Sequence, residues 1–277
     1  MSILTVGFDA AWTAKNSGAI VGVILEKGVR KELGPPSRVN YIEAEKIILK
    51  WQTEYLPVST IIMVDQPTIV KNSRGQRPVE HIVSAPVSLR RGGVQPANTS
   101  KEAMFGPNAP IWPFLDSFNG PANPISPSFG NQVYETYPVL SLIALGWTLP
   151  DERPSGRLPK YNPGRKNTFS TSDWNYLCRQ VSAAFKRLGL GGITGCIDNV
   201  GHRARPSKED QDCLDACICL LVALAFAEQR DCLIVGDQLT GYMVVPHDNA
   251  FRAELEVRCI KTNREPKQWV KLLSNFN

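Results

Sequence analysis

The stretch LTVGFDAAW, residues 4–12, joins an apolar run to an acidic residue, Asp9. The apolar run predicts a buried strand over residues 4–10. A polar turn separates it from a second apolar run, residues 19–25, and two such runs joined by a short turn are typical of an antiparallel hairpin. Residues 30–33 are expected to add a short third strand.

A second stretch, IIMVDQP, residues 61–67, repeats the pattern of an apolar strand followed by an acid, Asp65. Apolar residues at helical spacing precede it over residues 40–55. A hairpin, a helix and a buried strand in this order favour an α/β fold with a mixed sheet. We expect residues 1–277 to form one domain of this class, because no flexible linker divides the chain.

The rest of the chain predicts a long insertion and a further set of elements. Residues 67–130 are rich in Pro, Gly, Asn and Ser, but their aromatic residues indicate a folded insertion. A Pro/Gly-rich loop is expected at about 149–166. The other expected elements are a strand at 132–137, helices at 139–145, 172–188 and 208–229, and terminal strands at 233–235 and 242–245.

Composition narrows the class of protein. The hydrophobic fraction of 43% is ordinary for a globular domain, and no apolar run reaches the ~18 residues of a membrane span. Without a recognisable secretory signal, the sequence predicts a cytoplasmic protein with no membrane partner. Seven cysteines without a C-x-x-C pair favour reduced thiols over zinc or disulfide frameworks. The net charge of +5 fits an ordinary basic surface as well as a nucleic-acid partner.

Asp9 and Asp65 hold equivalent positions at the ends of two apolar strands. An unpaired buried carboxylate is costly, and ligands of open α/β sheets bind beyond the carboxyl ends of the strands. Either acid alone could instead start a turn by hydrogen-bonding nearby backbone. The recurrence at two strands favours a functional pair.

Asp212 and Asp215 lie three residues apart in a predicted helix, so their side chains share one face. The helix dipole favours acids in a first turn, which explains Asp212 in part. Asp215 lies further in, directly before an apolar run, and is better explained as a metal ligand. Oxygen ligands of this kind suit Mg²⁺ or Mn²⁺.

Two glutamates each allow two interpretations. Glu135, in VYETYP, is either a solvent-facing strand residue or part of a site. Glu80, in RPVE, is better explained by a salt bridge to Arg77 than by a catalytic role. The basic residues expected to bind a phosphate backbone are Arg77, Arg90, Arg91 and Lys166.

Five motifs occur along the chain in the order GFDAAW, IIMVDQP, RPVE, VYETYP and DCLDACICLLVALA. In this order they resemble a bacterial and archaeal family of predicted RNase H-like nucleases, domain-of-unknown-function family 429. The resemblance implies a ribonuclease H-like fold, with a mixed five-stranded sheet flanked by helices and a long insertion after the fourth strand. The chain departs from its relatives at residues 240–242, Thr-Gly-Tyr, where they tend to carry an acidic-Gly-aromatic turn.

The resemblance also implies site roles. Metal ligands fall on Asp9, on Asp65, and on Asp212 with Asp215, and Glu135 matches a further recurring acid. We expect metal-assisted hydrolysis of nucleic acid, with Asp9 bridging two Mg²⁺ or Mn²⁺ ions and Asp65 and Asp215 each holding one. Asp212 would complete the second ion's shell or position the water.

Two other functions stay open at this point. A phosphotransferase of the actin and sugar-kinase type shares the sheet, but the chain is short for the duplicated fold and has no Asp-Gly-Gly loop after a strand. A non-catalytic RNase H-like scaffold or nucleic-acid-binding protein would keep the fold without the chemistry. The sequence distinguishes neither DNA from RNA, nor endonuclease from exonuclease action, nor monomer from dimer.

Overall fold

A computed structural model describes residues 1–273, in which helices flank a mixed sheet of six strands. Five strands follow the spatial order β3-β2-β1-β5-β6, and β4 pairs with β2 beside β3. The mixed α/β class is therefore confirmed, with one strand more than expected. The strands are β1 Ser2–Asp9, β2 Gly18–Glu26, β3 Val29–Glu32, β4 Ser37–Val39, β5 Ser59–Val64 and β6 Gly130–Glu135.

The hairpin and the first helix were predicted correctly. β1 and β2 pair antiparallel from Ser2 against Glu26 to Asp9 against Ala19. Helix α1, Tyr41–Tyr55, begins after Asn40, whose side chain caps the first turn. The sequence did not predict β4, which has only three residues, so the long insertion follows the fifth strand in chain order rather than the fourth.

Three neighbouring strands run parallel and end at one edge of the sheet. Phe8 of β1 pairs with Val64 of β5, and Val64 pairs with Glu135 of β6. The backbone N–H of Asp65 also donates to the carbonyl of Phe8 at 2.9 Å. This register places Asp9, the last residue of β1, beside Asp65, the first residue after β5, and both lie near Glu135 at the end of β6.

Helix α8, Lys208–Ala227, packs across β1 and carries its acids toward this edge. Ser207 caps this helix, since its side chain accepts from the N–H of Asp210. Close packing depends on Gly7, because a Cβ there would lie 2.1 Å from the carbonyl oxygen of Ala216. Any larger residue at position 7 would push α8 away from the sheet.

The insertion between β5 and β6 is helical, although its sequence shows no clear periodicity. It contains α2 Pro78–Leu89, α3 Glu102–Phe105 and α4 Ile111–Ser117. Pro86 within α2, and the shortness of α3 and α4, hide the helical pattern. Between β6 and α8 lie α5 Pro138–Ala144, α6 Thr171–Arg187 and α7 Gly191–Gly201, of which α7 was not predicted.

The last strands form a small sheet of their own. β7 Cys232–Asp237 pairs antiparallel with β8 Gly241–Pro246 and with β9 Val270–Leu273. Helices α9 Asn249–Lys261 and α10 Pro266–Trp269 precede β9, so the two strands predicted as terminal are followed by three more elements. Within residues 1–273 no helix is long and apolar enough to span a membrane.

Candidate functional site

Four aspartates from three elements line one cavity of about 580 Å³ at the carboxyl edge of the sheet. Asp9 ends β1, Asp65 follows β5, and Asp212 and Asp215 lie on α8. We call this space the carboxylate cavity. Its wall also contains Trp12, Lys15, Asn16, Ser17, Arg38, Gln95, Met104, Lys208, Glu209 and Gln211. The structure therefore brings together all four residues that the sequence indicated as metal ligands.

The two strand-end aspartates lie in an environment that disfavours their charge. Burial raises the pKa of Asp9 well above its usual range, and the neighbouring carboxylates of Asp65 and Asp215 raise it further. Burial of its carboxyl group likewise raises the pKa of Asp65, with Asp215 as the largest like-charged neighbour. Repulsion of this kind is costly unless cations compensate it.

Asp215 is held by two neutral donors. The Tyr161 hydroxyl donates to its Oδ1 at 2.8 Å, and Nε2 of Gln211 donates to its Oδ2 at 2.9 Å. Burial raises the pKa of Asp215 to about 6, against the opposing influence of Lys208 and of these two hydrogen bonds. Both donors orient the carboxylate without neutralising it.

Lys208 is the cation closest to the cluster. It forms a salt bridge with Asp212, one helical turn further along α8. Burial lowers the pKa of Lys208, but Asp9, Asp212 and Asp215 together raise it above the usual value. One lysine thus faces four carboxylates, which leaves most of their charge uncompensated by the chain itself.

The donor set suits a hard divalent cation, because every candidate ligand is a carboxylate oxygen. A buried acceptor also remains without a partner, the Oε1 of Gln211 on the cavity wall. Within residues 1–273, however, no three His, Cys, Asp or Glu side chains are grouped closely enough to form a preassembled metal centre. The chemistry of the residues fits such an ion, while their spacing requires side-chain movement to hold it.

Trp12 connects the ends of the two central strands. Its backbone adopts the left-handed region, with φ of 61°, which is unusual for a residue other than glycine. The indole N–H donates to the carbonyl oxygen of Asp65 at 2.8 Å, and the ring packs edge-on against Phe105 of the insertion. This tryptophan therefore ties β1, β5 and the insertion together at the cavity wall.

Glu135 belongs to a buried ion cluster rather than to the group of four aspartates. Both of its carboxylate oxygens accept hydrogen bonds from the Arg77 guanidinium, at 2.6 and 2.8 Å. Arg77 also donates to Glu80 at 2.8 Å, as the sequence predicted. Burial raises the pKa of Glu135, and Arg77 opposes that change; given the two-point contact, we treat the pair as ionised.

The four basic residues expected to bind phosphate lie elsewhere. Arg77 has no exposed surface and is surrounded by its carboxylate partners, so it cannot reach a nucleic-acid backbone in this conformation. Arg90 pairs with Glu254, and Arg91 pairs with Asp151. Lys166 is exposed but lines neither this cavity nor the second one described next. The basic residues beside the carboxylates are instead Lys15, Arg38 and Lys208.

A second cavity of about 360 Å³ lies on the other side of Asp65 and Asp215. We call it the aromatic cavity, because Trp12, Tyr137 and Tyr161 contribute to its wall. Arg77, Glu80 and Glu135 contribute as well. The residues shared by the two cavities are Trp12, Asp65, Gln95, Gln211 and Asp215.

Several residues of the site were missed at the level of sequence. Lys208 and Gln211 each precede an aspartate partner by four residues on α8, a spacing that places two side chains together on a helix, so this signal was available. Tyr161 lies 54 residues from Asp215 in a loop, and no local pattern connects them.

Comparison with protein families gives a match over most of the chain. The family described as "Protein of unknown function (DUF429)" matches residues 7–239. The matched region includes the last three residues of β1, all of β5 and α8, and every residue of the two cavities except Met243. The chain belongs to this family, as its motifs predicted. Comparisons with curated proteins and with solved structures gave no match.

Proposed function

We propose that this protein is a divalent-metal-dependent nuclease with a ribonuclease H-like fold, which hydrolyses phosphodiester bonds of nucleic acid. The observation that carries the proposal is the convergence of four aspartates from β1, the end of β5 and α8 on one cavity. The ribonuclease H-like superfamily, to which the family resemblance points, typically places metal ligands at the ends of its first and fourth strands and on its last core helix. The strand order β3-β2-β1-β5-β6, with the short β4 as an addition, supports the same assignment.

The charge balance favours a bound cation. Burial and mutual repulsion raise the pKa of Asp9, Asp65 and Asp215, and Lys208 is the counter-charge that opposes this change at all three. Asp9, Asp65 and Asp215 would hold Mg²⁺ or Mn²⁺, with Asp212 joining them on release from Lys208. When bound, such an ion supplies Lewis-acid stabilisation and lowers the pKa of a coordinated water.

The chain's own residues perform the remaining tasks. Tyr161 and Gln211 fix the orientation of Asp215. Lys15, Arg38 and Lys208 line the same cavity, where they would attract the anionic substrate and balance charge that develops on the phosphate. Arg77 holds Glu135 and Glu80 in the floor of the adjoining cavity, as a positioning residue.

The proposal is tested by incubating labelled single- and double-stranded DNA and RNA with the protein in Mg²⁺, Mn²⁺ or EDTA. We expect cleavage that requires metal and is reduced by at least a hundredfold in Asp9→Asn and Asp215→Asn. Asp116→Asn, at an exposed position of α4, is the matched control and should cleave like the parent.

Thermal unfolding shows that each variant is folded. The proposal fails if folded Asp9→Asn cleaves at the parental rate. It also fails if no substrate is cleaved when Mn²⁺ is shown by titration to bind. Cleavage unaffected by EDTA would assign the activity to a different mechanism or a contaminating enzyme.

A further inference from the structure

The aromatic cavity adjoins the carboxylates without being part of their cluster. It shares Asp65 and Asp215 with the carboxylate cavity as a common wall. Its volume of about 360 Å³ lies within the range of about 300–1,000 Å³ of small-molecule sites. A molecule inside the aromatic cavity would therefore lie next to a phosphate group bound at the carboxylate cavity.

The wall of this cavity combines aromatic rings with amide side chains. Trp12 and Tyr137 are half-buried, and Tyr161 is buried. Unstacked bases in nucleic-acid complexes stack on such rings. The amides are Gln66, Gln95, Asn162 and Gln211, and amides both donate and accept hydrogen bonds, as the polar edges of a base do.

Gln211 gives independent evidence of a missing partner. Only 7% of the residue is exposed, and its Oε1 has no hydrogen-bond partner. Its Nε2 already donates to Asp215, which fixes the amide and leaves the oxygen as a buried, unpartnered acceptor on a residue that lines both cavities. An unsatisfied buried acceptor is destabilising, and a ligand carrying an N–H or O–H donor would satisfy it.

The aromatic cavity offers no free carboxylate at Glu80 or Glu135 to pair with a cationic ligand. Both glutamates are already paired with Arg77. Arg165 lines the cavity, is exposed, and forms no salt bridge within the described part of the chain. The cavity thus has a polar and aromatic wall inside and the cation Arg165 at an exposed position. This combination suits a neutral ring attached to an anionic phosphate.

We propose that the aromatic cavity binds one unstacked nucleoside unit next to the phosphate held at the carboxylate cavity. This rests on the proposed function for the identity of the neighbouring phosphate, but binding of the nucleoside itself requires no catalysis. The substrate is then a strand end or an unpaired nucleotide, and the uninterrupted stack of a duplex is excluded from the cavity.

The test uses the four ribonucleosides and four deoxyribonucleosides, titrated into the full chain in EDTA and followed by saturation-transfer NMR. At least one of them should bind, and Val139→Trp should weaken its binding at least tenfold. Val139 lines the cavity at the start of α5, so a large ring there fills the space. Val257→Trp, at a half-exposed position of α9, adds the same ring elsewhere and should leave binding unchanged.

The outcomes separate this inference from the proposed hydrolysis. Nucleoside binding that is lost in Val139→Trp, without cleavage of any strand, would uphold the cavity and overturn the nuclease. Metal-dependent cleavage with no nucleoside binding at millimolar concentration would uphold the nuclease and overturn the nucleoside site in the aromatic cavity. Binding that persists equally in Val139→Trp and Val257→Trp would place the nucleoside outside the cavity and overturn the inference. Thermal unfolding confirms that both variants are folded.

Discussion

Replacing Asp215 by asparagine is expected to stabilise the metal-free protein at neutral pH. Its pKa of about 6 lies roughly two units above the usual 3.8, and each unit corresponds to about 1.4 kcal/mol. Keeping this carboxylate ionised in the fold therefore costs on the order of 3 kcal/mol. An amide of the same shape removes that cost.

The hydrogen bonds around Asp215 determine how much of this gain is realised. The Tyr161 hydroxyl can still donate to the remaining oxygen. The new amide nitrogen would face Nε2 of Gln211, but rotation of the Gln211 amide brings its unpartnered Oε1 into place as an acceptor. With this rotation both contacts survive and the gain is about 3 kcal/mol; without it, one lost hydrogen bond reduces the gain to about 2 kcal/mol.

The pH dependence has a definite sign. A carboxyl group whose pKa is raised by folding binds its proton more tightly in the native state, so parental stability falls as the pH rises from about 4 to about 6. The gain from Asp215→Asn should be absent near pH 4 and complete above pH 7. Urea unfolding in EDTA across this range, with Asp116→Asn as the control, measures it. A variant that is no more stable than the parent at pH 8, or a difference that does not change with pH, would show that ionised Asp215 does not destabilise the fold.

Three further predictions concern the surroundings of the site. Gly7→Ala should destabilise the protein by about 3 kcal/mol or more in urea unfolding, because the added methyl group meets the backbone of α8 at 2.1 Å. Arg77→Met should cost about 3–5 kcal/mol in the same measurement, since it leaves two buried glutamates without their cation. Tyr161→Phe removes a hydrogen bond that lowers the pKa of Asp215, so carboxyl ¹³C NMR should show that pKa rising above about 6.

Each of these has a matched control or a contradicting outcome. Gly195→Ala, where an added methyl group meets nothing within 4 Å, should not destabilise. Arg74→Met, at an exposed position three residues before Arg77, should leave stability within about 0.5 kcal/mol of the parent. Equal losses of stability in Gly7→Ala and Gly195→Ala would show that contact with α8 does not cause the destabilisation. Equal losses of stability in Arg77→Met and Arg74→Met would show that the buried ion cluster does not cause it. An unchanged pKa of Asp215 in Tyr161→Phe would remove the tyrosine from the site.

The parts of the fold that the sequence predicted are those set by local pattern. Asp9 and Asp65 follow uninterrupted apolar strands, and Asp215 precedes an apolar helical run. Such patterns fix both the element and the position of the acid at its end. The parallel pairing of β1 and β5 brings Asp9 and Asp65 together. The convergence of Asp212 and Asp215 with them was expected only from the topology that the family resemblance implies.

The parts that the sequence did not predict depend on contacts between distant segments. Arg77 pairs with Glu135, which lies 58 residues away in the sequence. Its basic side chain suggested phosphate binding at the surface, but Arg77 is buried. α7 is rich in glycine, which weakens its helical signal. The aromatic cavity draws its wall from eight separate segments between Trp12 and Met243, and no spacing along the chain encodes such a wall.

The four aspartates are proposed to bind a divalent cation. Crystals of the parent soaked in Mn²⁺ and measured at a wavelength where manganese scatters anomalously test it most directly. We expect an anomalous peak bounded by the carboxylates of Asp9, Asp65 and Asp215, which is lost in Asp9→Asn crystals soaked in the same way. Peaks only elsewhere on the protein, with Lys208 still paired to Asp212 and the carboxylate cavity free of manganese, would contradict it.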